Sequence, residues 1–463
     1  MKSTIGSILR TSVPIVVDFG AQALIWTIEP MLVGHLALGT MARYYPGLGA
    51  TGVDALIAVG NVIQIILFTC TLLLTLVFGA TIIVNRHLGA GRRDEANHFL
   101  GQTVFTAMFP AVGLALIWYC CSPFIFRTIL GASPAVAAIC VDYMRTMAWF
   151  APFMIMNFVA IGIVRGAGDT HLSMITGLLV NGIHLVLAIV LIHGVGFAPA
   201  LGVRGTALAF GIAHTIGFLF TYSVILRGRS ILIFQWIDFR SVNRATIVSM
   251  VKTGIPSTLE QLAWMTGMTA VIGFSNRLGA TAAAAHIVAL TFQRLFAIMY
   301  LAFSTGALTL VGQRYGAGQF ARAGKTAKAF LGMVGILVLF IAAIIYFRAR
   351  YFVIIYTTNP DVISLCATTL KIVALVQIPK AMSYIFSFSL KGVGENHYPM
   401  YLAIGGVVLI EMILGFNLAF TFGLGLAGLW IATGIDESAK TLLAMRRFRK
   451  RIRFLIAEAA ARA

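Results

Sequence analysis

Three acidic side chains, Glu29, Glu260 and Glu411, sit inside long apolar runs of this sequence. Asp18 shares a run with Glu29. An acid placed among apolar residues of this kind is costly, so its retention points to a task. A carboxylate taken out of water favours its protonated form and can trade a proton against another ligand. With additional oxygen ligands it holds sodium instead. Glu29 lies in Trp26-Thr-Ile-Glu-Pro-Met-Leu-Val-Gly34, and Pro30 removes an amide hydrogen bond, which lets a helix bend there. The alternative for Glu29 is an ion pair with a structural base. Glu411 is expected to be held by a buried base, Arg294 or Lys380, with direct coupling as the second reading. Glu260 lies early in its run and reads either as an exchange group or as a helix cap.

Aromatic and thioether side chains accompany these acids. Trp26, Trp264, Met265 and Met268, with Asn157 as a polar partner, are candidates for a cavity that accepts amphipathic organic cations. The bland reading of each is ordinary packing or lipid contact. Five cysteines, Cys70, Cys120, Cys121, Cys140 and Cys366, form no Cys-x-x-Cys pair and read as small apolar residues.

The elements that must position these groups follow from composition. Hydrophobic residues make up 59% of the 463 and charged residues only 11%. Soluble domains carry roughly 25% charged residues, so lipid must be the solvent for most of this chain. Twelve runs approach the about 20 apolar residues needed to cross a bilayer: 12–37, 51–75, 99–121, 141–163, 173–195, 205–226, 249–274, 284–311, 329–347, 365–390, 399–421 and 425–445. Each must be helical, because backbone groups find no partners in hydrocarbon. No cleavable leader is expected at the start, where the first apolar run is too long.

The formal net charge of +19 does not imply nucleic acid, because the basic residues lie between apolar runs and draw no continuous basic face. They set orientation instead. Arg10, Arg86, Arg92, Arg93, Arg165, Lys252, Arg314, Lys325, Lys328, Lys391 and the tail from Arg446 fall on one side; Arg43, Arg127, Arg204, Arg277, Arg348 and Arg350 fall on the other. The rule places both termini in the cytoplasm. The longest polar connection, with Phe234, Trp236 and Arg240, separates two halves. The division is 1–226, a linker at 227–248, a second bundle at 249–445 and a basic tail at 446–463.

The halves repeat. Arg165-Gly-Ala-Gly-Asp-Thr-His-Leu-Ser-Met174 follows the fourth run, and Lys391-Gly-Val-Gly-Glu-Asn-His-Tyr-Pro-Met400 follows the tenth, 226 residues later. Leu88-Gly-Ala-Gly91 follows the second run, and Tyr315-Gly-Ala-Gly318 follows the eighth, 227 residues later. Leu201-Gly-Val-Arg-Gly205 and Leu424-Gly-Leu-Ala-Gly428 lie 223 apart. Six spans per half give both halves one orientation, hence a parallel repeat about an axis along the membrane normal.

These motifs resemble the multidrug and toxic compound extrusion (MATE) family. Arg165 to Thr170, Lys391 to Asn396, Gly312-Gln-Arg-Tyr-Gly-Ala-Gly318 and Gly254-Ile-Pro-Ser-Thr-Leu-Glu-Gln261 carry the likeness, which spans the whole chain. The resemblance implies an all-α integral membrane protein: twelve transmembrane helices in two six-helix bundles related by a parallel pseudo-twofold repeat, V-shaped. It also places Glu29 where the family carries a coupling aspartate. The fifth span departs from the family pattern, with Asn181, His184 and Ala188 where two amides and an acid are frequent. His184 is then a partner for Glu29, or a packing histidine.

The expected activity is secondary antiport in a prokaryotic inner membrane: export of organic, often cationic or amphipathic, drugs, toxins or metabolites in exchange for H+ or Na+. Protons are favoured, because one carboxylate and a histidine supply few oxygen ligands for a metal ion. The chain is expected to act as a monomer among lipids, with a small organic substrate, no nucleic acid, no cofactor and no metal. It is not expected to be an enzyme, and no phosphate-binding Gly-x-x-x-x-Gly-Lys turn is present. The alternative is a lipid-linked glycan flippase of related architecture, for which Arg294 and Lys380 would line a pyrophosphate pocket.

Overall fold

The computed structural model describes residues 2–34, 36, 38–196, 198–235, 243–354 and 360–462. Trp236 and Arg240 of the linker lie outside them. The described residues form helices and no strand. In chain order the helices are α1 (Lys2–Gly34), α2 (Leu38–Tyr44), α3 (Gly52–Gly89), α4 (Arg93–Phe124), α5 (Pro134–Ala167), α6 (Thr170–His193) and α7 (Val203–Leu226). They continue with α8 (Arg244–Arg277), α9 (Ala280–Gly316), α10 (Phe320–Ile354), α11 (Pro360–Gly392), α12 (His397–Gly405) and α13 (Gly425–Arg462). A π-helical turn, Ile125–Ile129, follows α4; two more π-helical stretches, Gly406–Leu414 and Asn417–Thr421, prolong α12. The short α2 lies in what the sequence reads as a connection.

Ten of the described helices are long and apolar enough to cross a membrane. The seventh and twelfth expected spans, α8 and α13, fall outside this set. Both are helical over the expected stretch but carry internal charges: Lys252 and Glu260 in α8; Asp436, Glu437 and Lys440 in α13. Large apolar side chains face outward, among them Trp149, Ile336, Phe347 and Phe422, as lipid contact requires.

The chain divides into two compact units. One comprises Val17–Val84 and Arg93–Val251; the other comprises Met1–Val16, Asn85–Arg92 and Lys252–Ala463. The second unit thus includes a helix end, Asn85–Arg92, that belongs by sequence to the first half. Glycine makes this possible. A Cβ on Gly89 would lie 1.9 Å from the Gln313 carbonyl oxygen, and one on Gly316 would lie 2.1 Å from that of Arg86. The two contacts exchange under the 227-residue offset, so the two Gly-Ala-Gly helix ends meet reciprocally, as in an isologous interface.

The Arg-Gly-x-Gly-Asp-Thr motif acts as punctuation. Gly168 at φ 100° closes α5, and the Asp169 carboxylate caps α6 by accepting from the Leu172 N–H at 3.3 Å. Asp169 also accepts from the Ser230 hydroxyl at 2.8 Å, which fastens the connection after α7. In the second copy Gly394 takes φ 92°, and Asn396 donates its side-chain N–H to the Thr253 carbonyl at 3.3 Å.

Candidate ion-coupling sites

In the first unit α1 delivers Glu29 and α6 delivers His184. Both are buried, at 4% and 2% exposure. His184 Nε2 stands 3.9 Å from Glu29 Oε1, beyond hydrogen-bond range, and among the described residues neither atom has a hydrogen-bond partner. The buried Tyr143 of α5 lies within electrostatic reach of the carboxylate. An aromatic string leads away from the pair: His184 meets the edge of Phe210 at 5.3 Å, and Phe210 lies 4.3 Å from the His214 ring. Asn157 Nδ2 is 3.5 Å from His214 Nδ1, and the Thr221 hydroxyl donates to Asn157 Oδ1 at 3.3 Å. Asn157 is therefore turned into the helix packing. Asn181 sits half-buried on α6, and Trp26 is half-exposed on α1.

Below this pair Asp18 accepts from Arg165 Nη2 at 3.0 Å and from the Ser173 hydroxyl at 2.9 Å. Its carboxylate rests on Gly177, where a Cβ would come within 1.9 Å.

The second unit repeats this arrangement. Lys391 Nζ lies 2.8 Å from Glu260 Oε2, and the Ser387 hydroxyl donates to Glu260 Oε1 at 3.0 Å. Asp18 and Glu260 each stand four residues after a proline, Pro14 and Pro256. Glu260 is thus no helix cap: it lies well inside α8 and lines a cavity. Lys380 Nζ lies 3.6 Å from Glu437 Oε1 and 3.5 Å from Gln293 Oε1, and the Ser383 hydroxyl donates to Glu437 Oε2 at 2.5 Å. Lys380, Ser383, Ser387 and Lys391 thereby form one polar stripe along α11. Lys440 pairs with Asp436 one turn earlier on α13. The cavity lies among Glu260, Trp264, Tyr384, Val407, Glu437 and Lys440. Met265 and Met268 stand half-buried beside Trp264 on α8.

Glu411 does not have the expected partner. Arg294 sits on the exposed side of α9, about 100° round from the buried Gln293, and Lys380 is engaged by Glu437. Glu411 is 8% exposed and packs on Gly267, where a Cβ would lie 2.4 Å from Oε2.

A family profile described as MatE matches residues 47–190 and 256–417, more than half of the chain. The chain belongs to the MatE family. Solved structures agree in fold. A MATE crystal structure in a bent conformation shares 20% identity at a TM-score of 0.86, covering 99% of this chain and 97% of that one. An outward-facing multidrug resistance MATE transporter of the MOP superfamily shares 21% identity at 0.85, covering 97% and 96%. A MOP superfamily transporter from Pyrococcus furiosus, described as having a binding pocket of reverse polarity, matches with the same identity, score and coverage.

Within this MatE frame the sequence reading overlooked several inward-facing polar groups. His214 is a histidine in an apolar run and was open to the argument applied to His184. Asp436, Glu437 and Lys440 stand in the last apolar run, and their i, i+4 spacing already predicts an ion pair on one helix face. Lys391, counted in the sequence among the bases that set orientation, is buried and paired with Glu260.

Proposed function

We propose that this multi-pass membrane transporter is a proton-coupled antiporter that exports organic, cationic or amphipathic compounds across a prokaryotic inner membrane, with both termini cytoplasmic. It acts as a monomer and needs no cofactor. The observation that carries the reading is the Glu29–His184 pair: a buried carboxylate and a buried imidazole 3.9 Å apart, each with an atom that has no hydrogen-bond partner among the described residues. Such a pair changes its electrostatics on gaining one proton. Antiport needs a ligand that weights two states differently, and a proton on Glu29 supplies that difference.

Protons are preferred over sodium by the donor set. No group of three or more His, Cys, Asp or Glu side chains suited to a metal ion occurs among the described residues, and hard cations want several oxygens. Antiport is preferred over glycan flipping because Lys380 is engaged with Glu437 and Arg294 lies on an exposed face. Neither is free to line a pyrophosphate pocket.

The test is transport in proteoliposomes with pH and Na+ gradients imposed separately, against a panel of cationic dyes and drugs. A pH gradient alone should drive accumulation. Accumulation driven only by the Na+ gradient would replace the proton with sodium.

A further inference from the structure

Around the cavity and along α11 and α13 of the second unit, four acids face three lysines. Glu260, Glu411, Asp436 and Glu437 face Lys380, Lys391 and Lys440, and three of the acids are matched one to one: Glu260 with Lys391, Glu437 with Lys380, Asp436 with Lys440. Glu411 is left over. Among the described residues it makes no hydrogen bond and no ion pair within 4 Å. The titratable and charged groups that act on it are Tyr384 from α11 and Asp436 and Lys440 from α13. From α8 the bare backbone of Gly267 lies against it. Lys440, the positive charge among them, is already committed to Asp436.

Two further observations point the same way. Glu411 rides on the π-helical stretch Gly406–Leu414, and π-helical turns within α-helices recur at functional positions. Its side chain shares the Gly267 patch with Val407, and Val407, Glu437 and Lys440 line the cavity. That cavity, edged by Glu260, Glu437 and Lys440 and large enough for water, adjoins the side chains packed around the carboxylate. A metal ion fits poorly, because three of the four carboxylates already hold ammonium groups and one carboxylate supplies too few oxygens.

We propose that Glu411 is a proton-exchange site of the second unit: its carboxylate takes one proton from cavity water to become a carboxylic acid, which balances the cluster, and returns it the same way. Its place in a transport cycle rests on the antiport reading above. The site would then work beside Glu29, giving one exchangeable proton in each half.

The test needs no substrate. The full-length protein is placed in lipid nanodiscs and titrated with acid, counting protons taken up and following the protonated-carboxyl infrared band. Glu411→Gln should lower uptake by about one proton and remove one carboxyl component. Glu411→Asp should keep that component at a shifted position, which preserves the test if the glutamine variant fails to fold. Uptake and bands unchanged in Glu411→Gln, or a component untouched in Glu411→Asp, would overturn the proposal. Export from proteoliposomes separates the two readings. A wild type without pH-driven export whose Glu411 still titrates loses the antiport and keeps the site. A wild type with pH-driven export whose titration ignores Glu411→Gln keeps the antiport and loses the site.

Discussion

Glu29 and His184 are close enough for the charge of one to bear on the other and too far apart to be satisfied by each other. A structural ion pair would close that gap, since an unmatched buried polar atom is costly. The open geometry favours exchange over scaffolding. Glu29→Gln keeps the shape and cannot gain or lose a proton, so it should abolish gradient-driven export at matched membrane expression while substrate binding persists. Glu29→Asp should retain part of the export. Full export in the glutamine variant would move the coupling role elsewhere. The paired acids lower in each unit behave differently. Asp18 is held by Arg165 and Ser173 on an unyielding glycine surface, whereas Glu260 opens onto a cavity. Arg165→Met strands a buried carboxylate and should cost about 3 kcal/mol; Lys391→Met, with water within reach of Glu260, should cost about 2 kcal/mol or less. Thermal unfolding of the purified protein measures both. The double change Asp18→Asn with Arg165→Met should recover most of the loss, and an unrecovered loss would show that packing, not charge, fixes Asp18.

At the scale of helices, glycine decides which ends can meet. Gly89 and Gly316 admit backbone where any Cβ would collide, and a carbonyl cannot swing aside as a flexible side chain does. Gly89→Ala should therefore separate α3 from α9, lowering both the melting temperature and the export rate. Gly113 in α4 has nothing within 4 Å of a built Cβ, so Gly113→Ala should be neutral or add up to about 1 kcal/mol of stability through helix propensity. Equal effects at the two sites would remove close approach as the reason for Gly89. The same helices show what the sequence could convey. Apolar run length found the helices, and the repeated Gly-Ala-Gly and Arg-Gly-x-Gly turns found their ends, because both signals are local. The partners of Glu411 were not legible. Arg294 and Lys380 are single bases on long helices, and which of them turns inward depends on a rotation of one residue. Asp436, Glu437 and Lys440 were legible in principle: an acid pair and a base one turn later in an apolar run carry the same meaning as Glu29. The cavity between α8, α11 and α13 arises from packing and has no sequence signature.

For the whole molecule, the decisive property is the direction in which each half enters the membrane. Basic residues crowd the turns after α3 and α9: Arg86, Arg92 and Arg93 at one, Arg314, Arg322, Lys325 and Lys328 at the other. The turns after α6 and after α8 carry few. Translocation retains Lys- and Arg-rich turns on the cytoplasmic side, so both basic turns should stay inside and both halves should share one orientation. An inverted repeat would instead put the two Gly-Ala-Gly turns on opposite faces. Single cysteines distinguish these arrangements. The five native cysteines must first be replaced, because Cys120 and Cys121 are exposed and would report by themselves. Arg92→Cys and Gln319→Cys then mark the two basic turns; Val195→Cys and Arg277→Cys mark one opposite turn from each half, and all four positions are exposed. With a membrane-impermeant maleimide on intact cells, Val195→Cys and Arg277→Cys should label, while Arg92→Cys and Gln319→Cys should label only after the membrane is opened. Labelling of Arg92→Cys and Gln319→Cys from opposite sides would rule out the parallel repeat. It would also leave Asp18–Arg165 and Glu260–Lys391 facing different compartments, so that the two ion pairs could no longer serve equivalent positions in one cycle.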